Sequence, residues 1–512
     1  MVSRRTSVVI AFLVCCLLLS SIFLFSDRLM LAQYLRSSLN ASLCDGHING
    51  HGCCSLPLAV VVNEGGSATS GKLFKGIKVN TYDHQLLHFS NHRQASKIVS
   101  THSADLHALK CDHWSVVTTI FEPSEAVRRQ VELKGWCIVV VGDRKGPKDY
   151  PIDATQHNYV FLTAADQEEL ANHFPVVKAL PWNHFGRKNV GFLYAILHGA
   201  QLVWDFDDDN MLLSPQLNIP SNPWIAKANA ASGASANNSS SGDSTLPGWD
   251  TTSFGPTFQV LQVQGYKFPS FNPYPLMGAP STPCWPRGLP LEHIKYTGLN
   301  TSMLRKTEIS TASIGIIQSL ANHDPDIDAI FRLTMPIPFD FPGDFPQGSG
   351  AASRPLLVPA DTYAPYNAQA TLHTYSALWS LLLPVTVHGR VSDIWRGYIA
   401  QRLGRDIGMR LLFSAPMVRQ DRNSHNYLAD FDSEEPLYKR ASKLLQQLDE
   451  WAPQTHSLVG RIEELWVYLY EHGYFALDDI VLVQTWLHSL LAAGYRFPEL
   501  LSETKAATIA GP

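Results

Sequence analysis

Four aspartates that follow an apolar stretch are the residues of this chain best suited to hold a cation. Asp205, Asp207, Asp208 and Asp209 lie in the sequence QLVWDFDDDN at 201–210. Carboxylates this close repel one another unless a cation lies between them, and Mg²⁺ and Mn²⁺ prefer oxygen ligands. Because ligands of open α/β sheets bind beyond the carboxyl ends of strands, such a cluster can hold a metal ion that binds substrate phosphates. A solvated acidic turn is the alternative, and the position after a buried strand favours the metal site.

Three further positions carry side chains that could contact a nucleotide. A predicted helix at 187–200 begins with Arg187 and Lys188. Positive charge is unfavourable at this end of the helix dipole, so a role in binding phosphate oxygens would explain why two basic residues stand there. Asp143 ends a predicted strand and could accept a hydrogen bond from a base or ribose hydroxyl, although a turn-forming aspartate is nearly as good an explanation. His425, in a polar loop, could add a late ligand to the metal or diphosphate, or could be structural.

A second candidate site surrounds Asp393. This carboxylate lies between Arg390 and Arg396, next to Trp395, where 385–404 predicts a strand that passes into a helix. Asp393 could act as a general base on an acceptor hydroxyl, with Arg390, Trp395 and Arg396 on the acceptor side, because aromatic faces pack against sugar rings. The alternative is that Asp393 caps the helix and pairs with the two arginines.

The elements that must position these residues alternate between strand and helix. Strands are predicted at 114–120, 136–143, 158–163 and 201–206, and helices at 123–135, 164–174 and 187–200. Alternation with short connections predicts an α/β fold with a mostly parallel, Rossmann-like sheet and flanking helices.

Later segments are predicted less uniformly. Residues 215–290 are crowded with Pro, Asn, Ser and Gly and predict a flexible insert. A helix is predicted at 368–384. The apolar spacing after 431 predicts a helical C-terminal region over 431–512.

The N-terminus carries a candidate membrane anchor. Residues 8–25 contain no charged residue, which suits a helix that crosses the hydrocarbon core better than a cleaved signal peptide. Arg4 and Arg5 precede this segment, so the positive-inside rule predicts a cytosolic tail at 1–7 and a lumenal body. Residues 26–110 have little periodicity and are predicted to form a stem.

Composition narrows the function classes. The net charge is −5 and no basic run occurs, which disfavours nucleic-acid binding. The eight cysteines include no CxxC pair, so structural zinc is disfavoured, and the pairing of the six lumenal cysteines stays open. A lumenal body would also expose four glycosylation acceptors, at Asn40, Asn237, Asn238 and Asn300.

Several sequence words resemble the STELLO family of glycosyltransferases, type II Golgi membrane proteins. These words are WSVVTTIFEPSEAVRRQ, GWCIVVVGDRKGP, PWNHFGRKNVGFLYAILHGAQLVWDFDDDN, PYNAQ, LPVTVHGRVSDIWRGYIAQRL and RNSHNYLADF. The resemblance implies a GT-A-like domain over 111–430 and a nucleotide-sugar donor, a UDP sugar. It also implies that Asp207 and Asp209 take the metal and ribose roles of a DxD signature, with Asp205 close by, and that Asp393 is the acceptor-side carboxylate. Asp208, within the same acidic run, is expected to contact the nucleotide.

The sequence and the resemblance together predict a metal-dependent glycosyltransferase in the Golgi membrane. It would use Mn²⁺ or Mg²⁺ to transfer a sugar to a glycan or glycoprotein acceptor. The alternative function is a catalytically weak relative that serves as a Golgi scaffold or trafficking partner of a polysaccharide synthase.

Overall fold

The computed structural model describes eight stretches of the chain, all within the unit that spans Ala59–Pro512. They are residues 111–152, 158–214, 257–280, 283–296, 299, 301–342, 354–422 and 426–501, with two paired strands before them, β1 (Leu73–Phe74) and β2 (Ile77–Lys78). The predicted tail and anchor, the four glycosylation asparagines and His425 lie outside these residues. Among the described helices, none combines the length and the apolar character that a bilayer crossing needs.

Four parallel strands form one half of the sheet. They are β3 (His113–Thr118), β4 (Cys137–Val141), β5 (Tyr159–Leu162) and β6 (Leu202–Asp205), in the spatial order β5-β4-β3-β6. Their runs of Val, Ile and Trp are buried because helices cover parallel sheets on both faces. The predicted alternation of strands and helices is confirmed here.

Four helices connect these strands. They are α1 (Glu125–Val131), α2 (Ala164–Ala171), α3 (Pro175–Ala179) and α4 (Lys188–Leu197). The last of them, α4, lies directly against the sheet through Gly191. A Cβ at that position would come within 2.6 Å of Val116 and 2.7 Å of Val141, so a glycine allows the close approach. Lys188, the first residue of α4, is thereby brought to the end of β6.

The other half of the sheet is mixed. It contains β7 (Asn210–Leu212), β8 (Thr257–Val263), β9 (Leu304–Ser310), β10 (Ile314–His323), β11 (Leu356–Leu357), β12 (Thr371–Thr374) and β13 (Arg410–Gln420). The spatial order continues β6-β12-β10-β13-β11-β8-β9, and β7 pairs with β13. Strand β12 runs antiparallel to both of its neighbours. The expected mostly parallel arrangement is therefore confirmed for β3 to β6, whereas the rest of the sheet combines two parallel pairs, β10 with β13 and β8 with β11, with antiparallel ones.

Three local predictions are also corrected. The helix expected at 368–384 is instead β12 followed by a 3₁₀ turn at Tyr375–Leu381, because pairing with two distant strands overrides the local preference. The strand expected at 385–388 does not form, and the chain enters the next helix directly. The flexible insert expected at 215–290 is wrong for its described part, residues 257–280 and 283–290, where β8 joins the sheet and Phe271 and Trp285 enter a hydrophobic core.

Six further helices lie among the described residues. They are α5 (Ala329–Thr334), α6 (Gly389–Arg405), α7 (Tyr427–Ser433), α8 (Glu435–Glu450), α9 (Leu458–Glu471) and α10 (Leu477–Ala492). The apolar face of α8 is buried as its spacing predicts. Helix α10 contacts α3 and α4, and its side chains belong to the same hydrophobic core as those of β3 and β4. The C-terminal helices are therefore part of the same packed body as the parallel strands.

Candidate functional site

The acidic cluster lies at the carboxyl end of β6, as predicted, but its first member is buried. Lys188 Nζ lies 2.6 Å from Asp205 Oδ1, and Arg396 Nη1 lies 3.1 Å from Asp205 Oδ2. Asp205 is fully buried. Because both of its oxygens pair with cations, Asp205 joins β6 to α4 and α6 and does not face a ligand.

Lys188 also holds the next carboxylate of the cluster. Its Nζ lies 3.1 Å from Asp207 Oδ1 and donates to the carbonyl oxygen of Ala368 at 2.9 Å. Burial alone would lower the pKa of Lys188, but Asp205 and Asp207 outweigh it and raise the pKa above its ordinary value. The predicted phosphate contact of Lys188 would compete with these buried pairs, so its present role is to orient Asp207.

Asp207 is partly accessible, with a side chain that is 35% exposed. Asp208 accepts a hydrogen bond from Thr119 Oγ1 at 2.5 Å, and Ser124 Oγ donates to the Asp208 carbonyl at 2.5 Å. Asp208 is therefore hydrogen-bonded to residues that follow β3, while the side chain of the neighbouring Asp207 is partly exposed to solvent.

Asp209 is held from two sides. Asn210 Nδ2 donates to Oδ1 at 3.1 Å, and Gln420 Nε2 donates to Oδ2 at 3.1 Å. Burial and the nearby Asp207 charge raise the pKa of Asp209 to about 7. A cation that bound between Asp207 and Asp209 would relieve this repulsion and lower that pKa.

The donor set suits a metal ion that arrives with a nucleotide. Among the described residues, no three His, Cys, Asp or Glu side chains are already arranged around a common ion position. Mg²⁺ commonly takes one or two protein carboxylates and completes its shell with water and substrate phosphates. Asp207 and Asp209 match this number of protein carboxylates.

Two other residues that were predicted to contact the nucleotide form hydrogen bonds with protein groups. Asp143 accepts hydrogen bonds from the backbone N–H groups of Asn183 and His184, at 2.8 and 3.2 Å, and so ties that turn to the end of β4. Arg187 is 1% exposed, donates to Gln167 Oε1 at 2.9 Å and stacks on Trp182 at 3.9 Å. Burial lowers the pKa of Arg187 to about 10. Both residues shape the loop beside the acidic cluster.

Asp393 belongs to a buried group whose other members were not predicted. Arg287 Nη1 and Nη2 donate to the two Asp393 oxygens at 3.1 and 2.9 Å. The same guanidinium donates to both oxygens of Asp326, at 2.8 and 3.0 Å. Asp393 is 4% exposed. A role as general base therefore requires that Arg287 release it.

The predicted acceptor-side residues face the protein interior. Trp395 is 1% exposed, and its ring centroid lies 5.2 Å from that of Tyr474. Arg390 Nε donates to Glu434 at 2.6 Å, while Arg396 pairs with Asp205. None of these three side chains presents an open face to a sugar.

Polar residues that the sequence patterns did not single out complete the site. Arg287, Asp326, Asn367, Gln369 and Gln420 are all buried. Gln318, Asp326, Asn367 and Gln369 are among the residues that line a small cavity. The available signal was weak: Asn367 and Gln369 lie in PYNAQ, and Gln420 is the last residue of an apolar strand.

Comparison with known proteins agrees with the resemblance expected from the sequence words. Residues 390–510 match the family model of the STELLO glycosyltransferases. The chain is 29% identical over 412 residues to "Probable glycosyltransferase STELLO2" of Arabidopsis thaliana, covering 79% of this chain and 48% of that protein. It is 29% identical over 397 residues to "Probable glycosyltransferase STELLO1" of the same plant, covering 76% and 46%. The chain thus spans about half the length of the curated relatives it matches. The predicted resemblance is confirmed, and the chain is similar to the STELLO glycosyltransferases over more than three quarters of its length.

Proposed function

We propose that this protein transfers a sugar from a nucleoside-diphosphate sugar, of the UDP class, to a glycan or glycoprotein acceptor. The observation that carries the proposal is the acidic cluster at the end of β6, where Asp207 is partly exposed and Lys188 and Gln420 hold the carboxylates. The STELLO relatives favour a glycosyltransferase over other users of a metal and a nucleotide.

The topology supports a GT-A-like arrangement of the donor site. In chain order β3 to β6 are the first to fourth parallel strands, so the spatial order β5-β4-β3-β6 reads third, second, first, fourth. Doubly wound sheets of the Rossmann type have this order, and they bind ligands beyond the carboxyl ends of their strands, at the point where the strand order reverses. Thr119, Asp143 and Asp207 follow the ends of β3, β4 and β6 and so lie at that edge.

Asp207 and Asp209 would hold a Mn²⁺ or Mg²⁺ ion. When bound, the ion would neutralise the charge that develops on the departing diphosphate. Lys188 fixes the orientation of Asp207, and Gln420 that of Asp209. Asp208 stays bonded to Thr119 and keeps the acidic turn in place.

Asp393 would act on the acceptor only in a state in which Arg287 has moved. An Asp393→Asn variant tests this, because it removes the charge and keeps the size of the side chain. Loss of sugar transfer with an unchanged affinity for metal and nucleotide would support the catalytic role, and an unchanged transfer rate would exclude it.

We propose that the protein acts in the Golgi membrane as a single-pass type II protein with a lumenal catalytic body. The apolar segment at 8–25 supports the anchor. Cys111 and Cys137 form a disulfide, with their Cα atoms 6.1 Å apart, and disulfides persist in oxidising compartments such as the secretory pathway. A polysaccharide synthase remains a proposed partner.

Titration calorimetry tests the donor site. The full-length chain, purified in detergent, is titrated with UDP and with GDP, each with Mn²⁺ and after chelation. We expect binding of UDP that depends on Mn²⁺ and is lost in Asp207→Asn and Asp209→Asn. Asp478→Asn, at the exposed start of α10, serves as the matched control and should bind like the wild type. If the folded wild-type protein binds neither nucleotide, the enzyme proposal is refuted and the scaffold function replaces it.

A further inference from the structure

Two buried side-chain amides connect Asp209 to the loop before β12. Gln420, the last residue of β13, is 2% exposed, and Gln369 is 5% exposed. Gln420 Nε2 donates to Asp209 Oδ2 at 3.1 Å, and Gln369 Nε2 donates to Gln420 Oε1. Both amide donors therefore point along one path toward the Asp209 carboxylate.

The path has one consistent direction. An amide carries its donors on the nitrogen and its acceptor on the oxygen, and an ionised carboxylate only accepts. Gln420 must therefore present its nitrogen to Asp209. Gln369 enforces this orientation, because its own nitrogen occupies the Gln420 oxygen on the other side. If Gln420 turned over, its oxygen would face Asp209 and its nitrogen would face another donor.

The far end of the path is fixed by backbone and ionic contacts. The backbone N–H of Gln369 donates to Asn367 Oδ1 at 3.1 Å, and its carbonyl accepts from Gln318 Nε2 at 2.9 Å. Asn367 Nδ2 donates to Asp326 Oδ2 at 2.7 Å, and Asp326 is the carboxylate held by Arg287. Gln369 is thus attached to the buried ion pairs around Arg287.

We propose that Gln420 and Gln369 are positioning residues that hold Asp209 in the orientation in which it binds a metal–nucleotide complex. This inference rests on the proposed function and extends it to residues outside the acidic cluster. Gln420 fixes one oxygen of Asp209 while Asn210 fixes the other, and each oxygen keeps a lone pair that these two bonds do not use. Hydrogen bonds that orient metal ligands commonly change metal affinity by about 10- to 100-fold.

Methionine variants separate positioning from simple packing. Gln420→Met keeps the length and approximate volume of the side chain and removes both the donor and the acceptor. Gln369→Met leaves Gln420 in place and removes the donor that orients it. Gln401→Met is the matched control, because Gln401 is a buried amide (8% exposed) on α6 that bonds only to the backbone of Ala364 and Gly397.

The measurement is the Kd of Mn²⁺ for the full-length protein in the presence of UDP, obtained from the free Mn²⁺ signal by electron paramagnetic resonance. We expect Gln420→Met to raise the Kd by about 10- to 100-fold. Gln369→Met should raise it by about two- to tenfold, and the double variant should bind no worse than Gln420→Met. Thermal denaturation, recorded for every variant, identifies changes in Kd that accompany loss of fold.

The outcomes separate this inference from the function on which it rests. Wild-type affinity in folded Gln420→Met, or an equal loss in Gln401→Met, overturns the inference and leaves the proposed function standing. If Gln420→Met does not fold, Gln369→Met decides, and an unchanged Kd there overturns the inference. Absence of Mn²⁺-dependent UDP binding in the wild-type protein overturns both.

Discussion

Replacing Arg287 by methionine should destabilise the protein more than any ordinary surface change. The variant leaves Asp326 and Asp393 buried without their shared cation. Removal of one partner from a buried ion pair costs about 3–5 kcal/mol. With an unfolding entropy of about 2.1 cal/mol/K per residue over the roughly 325 residues that the structure describes between 111 and 501, the expected fall in Tm is about 4–7 °C.

The loss of unfolding free energy in this variant should depend on pH, and the pKa of Asp326 gives the direction of that dependence. Burial alone would raise the pKa of Asp326, but Arg287 outweighs burial, and the pKa lies below its ordinary value. The wild-type pair therefore stabilises the fold above the unfolded-state pKa of about 3.9 and loses this contribution only in stronger acid. Without Arg287, burial raises the pKa of Asp326, so protonation relieves the unpaired charge. The deficit of the variant should be largest at pH 7 and smaller at pH 5.

Differential scanning fluorimetry and urea unfolding at the two pH values measure this deficit. The triple variant Arg287→Met, Asp326→Asn, Asp393→Asn removes all three charges and should recover part of the loss. A deficit below about 1 kcal/mol at pH 7, the level of an exposed ion pair, would refute the reasoning. An equal deficit at pH 5 and pH 7 would refute its electrostatic basis.

Three other predictions concern separate parts of the molecule. The pKa of Asp209 is about 7, so protons compete with the metal for this carboxylate below pH 7. Mn²⁺-dependent UDP binding should therefore weaken by up to about tenfold per pH unit as the pH falls. Equal affinities at pH 6 and pH 8 would contradict this. Replacing Cys111 and Cys137 by serine removes a disulfide between residues 26 positions apart and should lower the free energy of unfolding in urea by about 3.5 kcal/mol. Detection of both cysteines as free thiols in the wild-type protein by mass spectrometry would contradict this. Gly397→Ala places a Cβ 2.8 Å from the Tyr366 carbonyl oxygen and should lower the unfolding free energy by about 1–3 kcal/mol, where an unchanged Tm would show that the loop shifts freely.

The parallel half of the sheet was predictable because its information is local. In β3, β4 and β6, β-branched or aromatic runs alternate with helices over short distances, and Asp205 follows the last apolar run directly. The position of Asp207 at the edge of the sheet follows from the same pattern. By contrast, β12 is four residues long and becomes a strand through pairing with two strands far away in the chain.

The interior partners of charged residues could not be predicted in this way. Arg287 pairs with Asp326 and Asp393, which lie 39 and 106 positions away. A basic pair such as Arg187 and Lys188 has the same appearance in a sequence whether it binds phosphate or a buried carboxylate. Only the packing of α4 against β3 and β4, which brings Lys188 to the end of β6, shows that Lys188 pairs with Asp205 and Asp207.

Strand β12 is synthesised long after its neighbour β6, and this delay has a consequence for folding during translation. Asp205 on β6 pairs in register with Thr371 on β12, which is 166 positions later in the chain. At roughly 5–20 residues per second, the ribosome needs about 10–30 s to supply this neighbour, and during that time the edge of β6 exposes unpaired backbone groups. Asp205 can meet Lys188 early, since both precede the gap, whereas Arg396 is synthesised after β12. A nascent chain stalled before residue 371 should therefore bind chaperones at this edge. Pairing of β12 with β6 would then displace the chaperone, as a late step in folding.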